Sequence, residues 1–83
     1  MSGSRWITAN VRGLGDIKKR QTMLKQLKQR KIDVAILTET KIQDENIYDL
    51  KQDEKYDCLS TGSIEERSAS RGVLILWNKH KNI

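Results

Sequence analysis

The chain has 83 residues, of which 33% are charged and 36% hydrophobic, and it contains no phenylalanine. This length allows one domain at most, and so short a chain buries a smaller share of its surface than a typical domain does. Because a chain this polar would hold only a small core, we expect residues 1–83 to be one piece of a larger α/β domain. Residues 1–4 are interpreted as a tag or a disordered end.

The sequence also indicates the cellular compartment and the kinds of partner to expect. No run approaches the roughly twenty apolar residues of a membrane span, and the N-terminal MSGSR lacks the apolar core of a secretory signal. The single cysteine, Cys58, cannot form a disulfide within the chain, which fits a reducing compartment. We therefore expect no membrane partner and an intracellular location, nuclear or cytoplasmic.

The net charge of +5 is unevenly distributed along the chain. Residues 1–31 carry nine Lys or Arg against the single acid Asp16, a balance of +8, whereas residues 32–83 carry seven basic and ten acidic residues, a balance of −3. A basic half favours a polyanionic partner such as nucleic acid. Solvated, lysine-rich helix faces give the same composition, so both interpretations stay open.

The first predicted elements are a strand and a helix joined by a glycine-containing loop. Residues 6–11 (WITANV) begin with an aromatic residue, include β-branched ones and predict a strand. The loop 12–15 follows, in which glycines permit positive φ. Asp16 stands where a helix N-cap belongs, and residues 17–30 form the predicted helix.

This helix is predicted to have a narrow apolar stripe and a broad basic face. Ile17, Leu24 and Leu27, with Met23 beside them, form the stripe, which we expect to pack on a sheet. Seven basic residues and no acidic residue occupy positions 18–31, and we expect this face to point outward. It is either an ordinary solvated surface or a contact for nucleic acid.

The segment 33–41 (DVAILTETK) is the centre of the prediction. Its apolar run Val34–Leu37 is typical of a buried strand, and Glu39 follows directly after that strand. A strand, a crossover helix and a second strand form a βαβ unit, so the ends of the two strands lie on one edge. Asn10 and Glu39 are therefore predicted to be neighbours in space. The alternative is that Glu39 caps the next element or faces water.

The remaining segments complete the predicted sheet. Residues 44–54 predict a short helix or helical turn, and residues 56–60 (YDCLS) suit an exposed or edge strand. Residues 61–72 form a loop by composition, rich in Ser, Gly and charge. Residues 73–77 (VLILW) predict a second buried strand.

An amide and a carboxylate at adjacent strand ends are hard oxygen ligands that suit Mg²⁺. Such a cation polarises a phosphoryl oxygen, and Lys41, two residues after Glu39, could serve as a point charge for a phosphate. These groups alone could not complete hydrolysis, which also needs a general base and a stabiliser of the transition state. His80, the only histidine, is expected to be exposed and not catalytic.

Four segments in order, WITANVRGLG, the basic helix, DVAILTETK and RGVLILW, resemble the opening of the endonuclease/exonuclease/phosphatase superfamily. More narrowly, they resemble the apurinic-type endonuclease domain at the front of non-LTR retrotransposon polyproteins. The likeness covers about residues 5–79. It implies the start of a four-layer α/β sandwich, here incomplete, that nicks DNA with Mg²⁺ (or Mn²⁺).

The resemblance also implies roles for individual residues. Asn10 matches the strand-end asparagine that helps hold the metal and catalytic groups, and Glu39 matches the metal-binding glutamate. Lys41 matches a basic residue beside that glutamate in the repair enzymes. Arg67 and Arg71 lie in a loop that approaches the DNA backbone in relatives, so both are candidate substrate-binding residues.

Two departures from the family pattern matter. Arg12 stands where the repair enzymes carry an acid, which fits the retroelement branch better and puts abasic-site specificity in doubt. The family's later Asp/Asn pair and its terminal Asp-His pair would lie beyond residue 83. We therefore expect little or no catalysis by the 83-residue chain. Because a half-sheet leaves unpaired strand edges, we also expect the chain either to self-associate or to fold incompletely.

Three functional hypotheses follow from the sequence. The first is the N-terminal segment of a Mg²⁺-dependent DNA endonuclease of the retrotransposon type. The second is a non-enzymatic fragment whose basic helix binds nucleic acid or an acidic protein. The third is a phosphoesterase of the same superfamily that acts on a small substrate.

Overall fold

The computed structural model describes residues 3–61 and 72–81, which form a small mixed α/β fold. The order of elements agrees with the sequence prediction, and the bounds differ from it by one residue at most, except at the end of the second helix. The elements are β1 (Trp6–Asn10), α1 (Ile17–Gln29), β2 (Val34–Thr38), α2 (Asp44–Lys51), β3 (Tyr56–Thr61) and β4 (Val73–Asn78).

The four strands form one mixed sheet in the order β1-β2-β4-β3. β1 and β2 are parallel neighbours, which confirms the predicted βαβ unit, and Asn10 is the register partner of Thr38. β4 is antiparallel to both β2 and β3. β3 lies at one edge of the sheet, as its sequence predicted, and β1 lies at the other.

Local capping explains where α1 begins and ends. The Asp16 carboxylate accepts a hydrogen bond from the Lys18 N–H at 2.9 Å, which satisfies one of the free donors of the first turn. At the other end Lys31 has φ 55°, the left-handed conformation that commonly ends a helix. The Ile32 N–H then donates to the Leu27 carbonyl at 3.0 Å and completes the helix end.

Both helices pack on one face of the sheet and form the core with it. That face presents alternate residues of each strand, including Ala35 and Leu37 of β2 and Leu74 and Leu76 of β4. The helices contribute apolar side chains to the same cluster, among them Leu27 and Leu50. Cys58 is buried there as a small hydrophobic residue.

The opposite face of the sheet has an apolar centre with polar residues around it, and no helix described in the structure covers it. One register row contains Trp6, Val34, Trp77 and Asp57, and the next contains Thr8, Ile36, Ile75 and Leu59. None of these side chains belongs to the core cluster that the helices cover. Trp6 is 59% exposed and Leu59 is 53% exposed, whereas Val34 between them is only 4% exposed, so it is at the two edges of this face that apolar side chains meet water.

Two expectations for α1 were wrong. Ile17, assigned to the apolar stripe, is 52% exposed, because it begins the helix at the edge of the packed face. Arg20, assigned to the outward basic face, is buried, because its guanidinium satisfies carbonyl groups of the preceding loop. The prediction that residues 73–77 form a fully buried strand was also too strong, since only Leu74 and Leu76 of β4 are buried.

Two further points concern the predicted partners and loops. Among residues 3–61 and 72–81, no helix has the length and apolar character that crossing a bilayer requires. The predicted loop 61–72 falls almost entirely outside the described residues, apart from its two ends.

Candidate metal-binding rim

The carboxyl ends of β1 and β2 lie at one rim of the sheet, here called the carboxyl-end rim and formed by residues 10–14 and 38–41. Parallel pairing continues beyond the strands themselves. The Gly13 N–H donates to the Glu39 carbonyl at 2.7 Å, and the Leu14 N–H donates to the Thr40 carbonyl at 2.6 Å. Leu14 is fully buried and anchors the loop in the core. The predicted proximity of Asn10 and Glu39 in the fold is therefore confirmed at the level of the backbone.

Asn10 and Glu39 both present their side chains at the surface. The Asn10 Oδ1 accepts a hydrogen bond from the Arg12 N–H at 3.1 Å, which holds the Asn10 amide against the start of the loop 11–15. An amide oxygen has two lone pairs, so this hydrogen bond leaves one for another donor or a cation. The Glu39 carboxylate is exposed directly after Thr38, the register partner of Asn10.

Strained backbone is concentrated at this rim. Arg12, Glu39 and Lys41 have φ of 51°, 54° and 48°, and Gly13, which follows Arg12 and donates to the Glu39 carbonyl, has φ 99°. Among the described residues, only Lys31 is a further non-glycine residue with positive φ. A left-handed conformation costs a residue with a Cβ atom roughly 1–2 kcal/mol, and such residues are found disproportionately at functional sites.

Two cations of α1 hold the loop 11–15 in place. The Lys19 Nζ donates to the Val11 carbonyl at 2.7 Å, and the buried Arg20 donates to the Leu14 and Gly15 carbonyls at 2.8 and 2.9 Å. Sequence reasoning missed this role of Arg20. The signal was present, because positions 20, 24 and 27 share one helix face, which places Arg20 within the apolar stripe.

The basic residues predicted to bind substrate fall into two groups. Lys41 is exposed at the rim, and its Cδ lies 3.7 Å from the position that a Cβ atom on Gly13 would occupy, so its aliphatic stem lies alongside the loop. Arg67 and Arg71 lie outside the described residues. The end of that segment does reach the rim, since the Thr40 N–H donates to the Gly72 carbonyl at 3.3 Å.

Thr40 is the one residue of the rim whose polar side chain is buried without a described partner. Its Oγ1 makes no hydrogen bond with any described residue, although the side chain is fully buried. An unpaired buried hydroxyl costs about 1–3 kcal/mol. Thr40 lies between Glu39 and Lys41, so this orphaned group belongs to the same strained segment.

The rim carries the two oxygen donors, Asn10 and Glu39, that the sequence predicts as ligands of a cation. Within residues 3–61 and 72–81 there is no group of three His, Cys, Asp or Glu side chains that could hold a metal ion. One carboxylate and one amide oxygen nevertheless fit Mg²⁺, which usually takes one or two protein carboxylates and keeps water or phosphate in its other positions. The donor set therefore fits Mg²⁺ as a partial site that needs further ligands.

Two groups with raised pKa values, Tyr56 and Cys58, belong to the core. Burial raises the pKa of Tyr56 to about 12, helped by the nearby Asp33 and Asp53, and its hydroxyl donates to the Ile32 carbonyl. Burial likewise raises the pKa of the Cys58 thiol, which leaves it a weak nucleophile. Both groups are structural.

His80 is exposed, as predicted, and lies far from the rim along the sheet. β4 starts beside Thr38 and runs antiparallel to β2, so its last residues reach the beginning of β2. There an imidazole nitrogen of His80 lies 2.6 Å from the Glu54 carbonyl oxygen. His80 is therefore at the wrong end of the sheet to serve as a base beside Glu39.

The comparisons with known proteins do not assign the chain to a family. Neither the comparison with protein-family models nor the comparison with curated proteins gives a match to this sequence.

Proposed function

We propose that the chain is the N-terminal segment of a Mg²⁺-dependent DNA endonuclease of the retrotransposon type, which nicks DNA by phosphodiester hydrolysis. The observation that carries the proposal is the juxtaposition of Asn10 and Glu39. The two residues come from adjacent parallel strands and lie one register position apart at the carboxyl-end rim. In α/β sheets this is the end at which ligand crevices form.

The uncovered sheet face supports the four-layer sandwich that the proposal implies. Trp6 and Leu59 expose more than half of their side chains on that face, which is the kind of surface that a second sheet would cover. Asn10 belongs to the same face, because it alternates with Trp6 and Thr8 along β1. A second sheet there would place its own residues opposite Asn10.

Each rim residue has a definite chemical part in this proposal. Glu39 and Asn10 would hold Mg²⁺ (or Mn²⁺), which neutralises charge on a phosphodiester when bound. Lys41 is an exposed point charge beside Glu39 that attracts and orients a phosphate. Lys19 and Arg20 position the loop 11–15, which directly follows Asn10 and contains Arg12, through its carbonyl groups.

Hydrolysis also needs a base for the attacking water. No histidine or second carboxylate is present among the rim residues that the structure describes, and His80 is at the opposite end of the sheet. We therefore expect the 83-residue chain alone to show little or no nicking activity. The test is incubation of supercoiled plasmid with the pure chain and Mg²⁺, in which efficient nicking would contradict this part of the proposal.

Metal binding by the rim can be tested separately from catalysis. Mn²⁺ should broaden the amide resonances of Asn10 and Glu39 selectively in an NMR titration, because broadening by a paramagnetic ion falls off steeply with distance. Glu39→Gln should remove the effect, whereas Glu45→Gln, in the exposed part of α2, should leave it intact. Equal broadening in both variants, or none in the unmodified chain, would remove Glu39 from a metal site.

A second candidate function is a non-enzymatic fragment that binds nucleic acid through α1. The observation in its favour is that Lys18, Lys19 and Lys25 are all exposed on that helix. Phosphate binding weakens steeply as salt rises. Tight, salt-dependent DNA binding that is lost when these three charges are reversed, together with no effect of Glu39→Gln on Mn²⁺ broadening, would favour this function over the endonuclease.

A further inference from the structure

The end of the sheet opposite the carboxyl-end rim has an open depression of about 540 Å³, here called the basic depression. It lies where β1 and β2 begin and where α1 and β4 end. Its charged lining is almost entirely cationic. These charged residues are Arg5, Lys28, Lys31, Lys55, Lys81 and Asp33.

Two of the cations are held in place by carboxylates. The Lys81 Nζ lies 3.0 Å from Asp33 Oδ2 and also donates to the Gly3 carbonyl at 3.1 Å. The Lys28 Nζ lies 2.7 Å from Asp53 Oδ1. Both carboxylate side chains are less than a tenth exposed, at 9% and 8%, so each lysine is tied to a buried partner.

The other three cations have no carboxylate partner in any ion pair that the structure describes. Arg5 donates one guanidinium N–H to the Arg30 carbonyl at 2.9 Å, which directs it to the end of α1. The Lys55 Nζ lies 5.5 Å from the centre of the Tyr56 ring. Lys31 is exposed and holds a left-handed backbone, with φ 55°.

The balance of charge identifies the class of ligand. Five cations, set against the carboxylates of Asp33 and Asp53, leave an excess of three positive charges around one depression. A single monovalent anion would leave most of that charge uncompensated. Phosphate groups carry the required density of negative charge and accept hydrogen bonds from both ammonium and guanidinium groups.

We propose that the basic depression is a binding site for a phosphate-bearing polyanion, either a free polyphosphate or consecutive backbone phosphates of a nucleic acid. Its volume lies within the range of small-molecule sites. The site is independent of the proposed nuclease function. It lies where β1 and β2 begin, whereas Asn10 and Glu39 lie at the other end of these strands. A different role for the same charges would be to neutralise the carbonyl end of α1.

Lys31 and Lys55, which are in no ion pair that the structure describes, can be substituted to test the proposal without disturbing the fold. Lys31→Asn/Lys55→Gln removes two charges and keeps a residue type that tolerates positive φ at position 31. Lys25→Gln/Lys51→Gln removes the same number of exposed charges from the helices, outside the depression. Thermal unfolding of both variants checks that the fold is retained.

Sodium tripolyphosphate is the first probe, titrated into the full chain and followed by NMR. Resonances of Lys31, Lys55 and Lys81 should shift, and those of Asn10 and Glu39 should not. Lys31→Asn/Lys55→Gln should weaken binding about tenfold or more, because two charge contacts with the phosphates are lost. The control variant should change it less than about threefold.

A short DNA duplex as the second probe identifies the source of the phosphate. Competition between duplex and tripolyphosphate for the same resonances, with DNA binding lost in Lys31→Asn/Lys55→Gln, would make nucleic acid a ligand of the depression. Binding of tripolyphosphate alone would leave a free polyphosphate as the ligand. No binding of either probe, or equal weakening in both variants, would overturn the proposal and leave the cations only to neutralise α1. None of these outcomes depends on Mn²⁺ binding at Glu39.

Discussion

A Cβ atom placed on Gly72 would lie 2.8 Å from the Oγ1 of Thr40, closer than real Cβ contacts come. Gly72 directly precedes β4, and Thr40 follows β2. The two residues are therefore close neighbours where the antiparallel strands β2 and β4 meet at the carboxyl-end rim. Gly72 also has φ 145°, a conformation that side chains disfavour. Only glycine therefore allows β4 to begin at this distance from the Glu39–Lys41 segment.

Gly72→Ala should destabilise the protein by about 1–3 kcal/mol, because the new methyl group meets Thr40 in a backbone conformation that is already unfavourable. Urea unfolding measures the change. Gly15→Ala is the matched control, since a Cβ atom there would meet nothing within 4 Å. Adding Thr40→Ala to Gly72→Ala should recover part of the loss. Strict additivity of the two changes would show that the contact does not matter.

Removing Arg20 should destabilise the loop 11–15, which directly follows Asn10. Arg20→Met keeps the apolar stem but leaves the Leu14 and Gly15 carbonyls without the guanidinium, so we expect a loss of about 1–3 kcal/mol in the free energy of unfolding. Asp49→Asn is the control, because its ion pair with Arg20 is long, at 3.7 Å, and its side chain is 58% exposed. That change should cost less than about 1 kcal/mol. Equal losses would mean that the ion pair, and not the carbonyl contacts, gives Arg20 its effect.

Stability should fall in acid partly through Asp33. The Arg5 N–H, at 2.8 Å, and then Lys81 hold the pKa of this carboxyl below its ordinary value. A carboxyl whose pKa is depressed in the folded state stabilises the fold fully above its unfolded pKa of about 3.9, and this stabilisation is lost as the pH falls through the folded pKa.

Asp33→Asn should therefore flatten the dependence of unfolding free energy on pH below about pH 4, as measured by urea unfolding at several pH values. Some dependence should remain, because the pKa of Asp53 is lowered too. Burial works to raise that pKa, but hydrogen bonds from Lys28 and from the Lys55 and Tyr56 N–H groups together outweigh it. Glu45→Gln, at an exposed position of α2, should leave the profile unchanged. A profile unaffected by Asp33→Asn would contradict the prediction.

The uncovered apolar face should drive self-association of the 83-residue chain. Leu59 is on that face and on the edge strand β3, so Leu59→Lys adds a charge both to the apolar surface and to an unpaired strand edge. We expect this variant to sediment as a smaller species than the unmodified chain. Tyr48→Lys, at a 71% exposed position of α2, should not change the distribution. A monodisperse unmodified monomer would contradict the prediction.

The sequence predicted the elements and the parallel pairing of β1 with β2 because these depend on local signals. Alternating or continuous apolar runs mark the strands, and Asp16 marks the start of α1. The predicted proximity of Asn10 and Glu39 then followed from the short connection through a single helix. These inferences needed no contact between distant parts of the chain.

Most of the features that sequence reasoning missed depend on contacts between distant parts of the chain. Arg20 was assigned to the solvated face by its charge, although its position in the stripe indicated burial. The contact of Thr40 with Gly72 depends on the antiparallel pairing of β2 with β4, for which no local pattern exists. The basic depression combines residues from both ends of the chain, such as Arg5 and Lys81, and only the folded topology brings them together.

The order of the strands has a consequence for synthesis on the ribosome. Of the four described strands, β4 is the last to emerge, yet it lies between β2 and β3 and supplies the only sheet neighbour that β3 has among the described residues. A nascent chain that ends before residue 73 can pair β1 with β2, but its β3 segment must wait in an unpaired state. Completion of this sheet is therefore coupled to the arrival of a single late strand, and any pause in translation before it prolongs the lifetime of an exposed edge on β2.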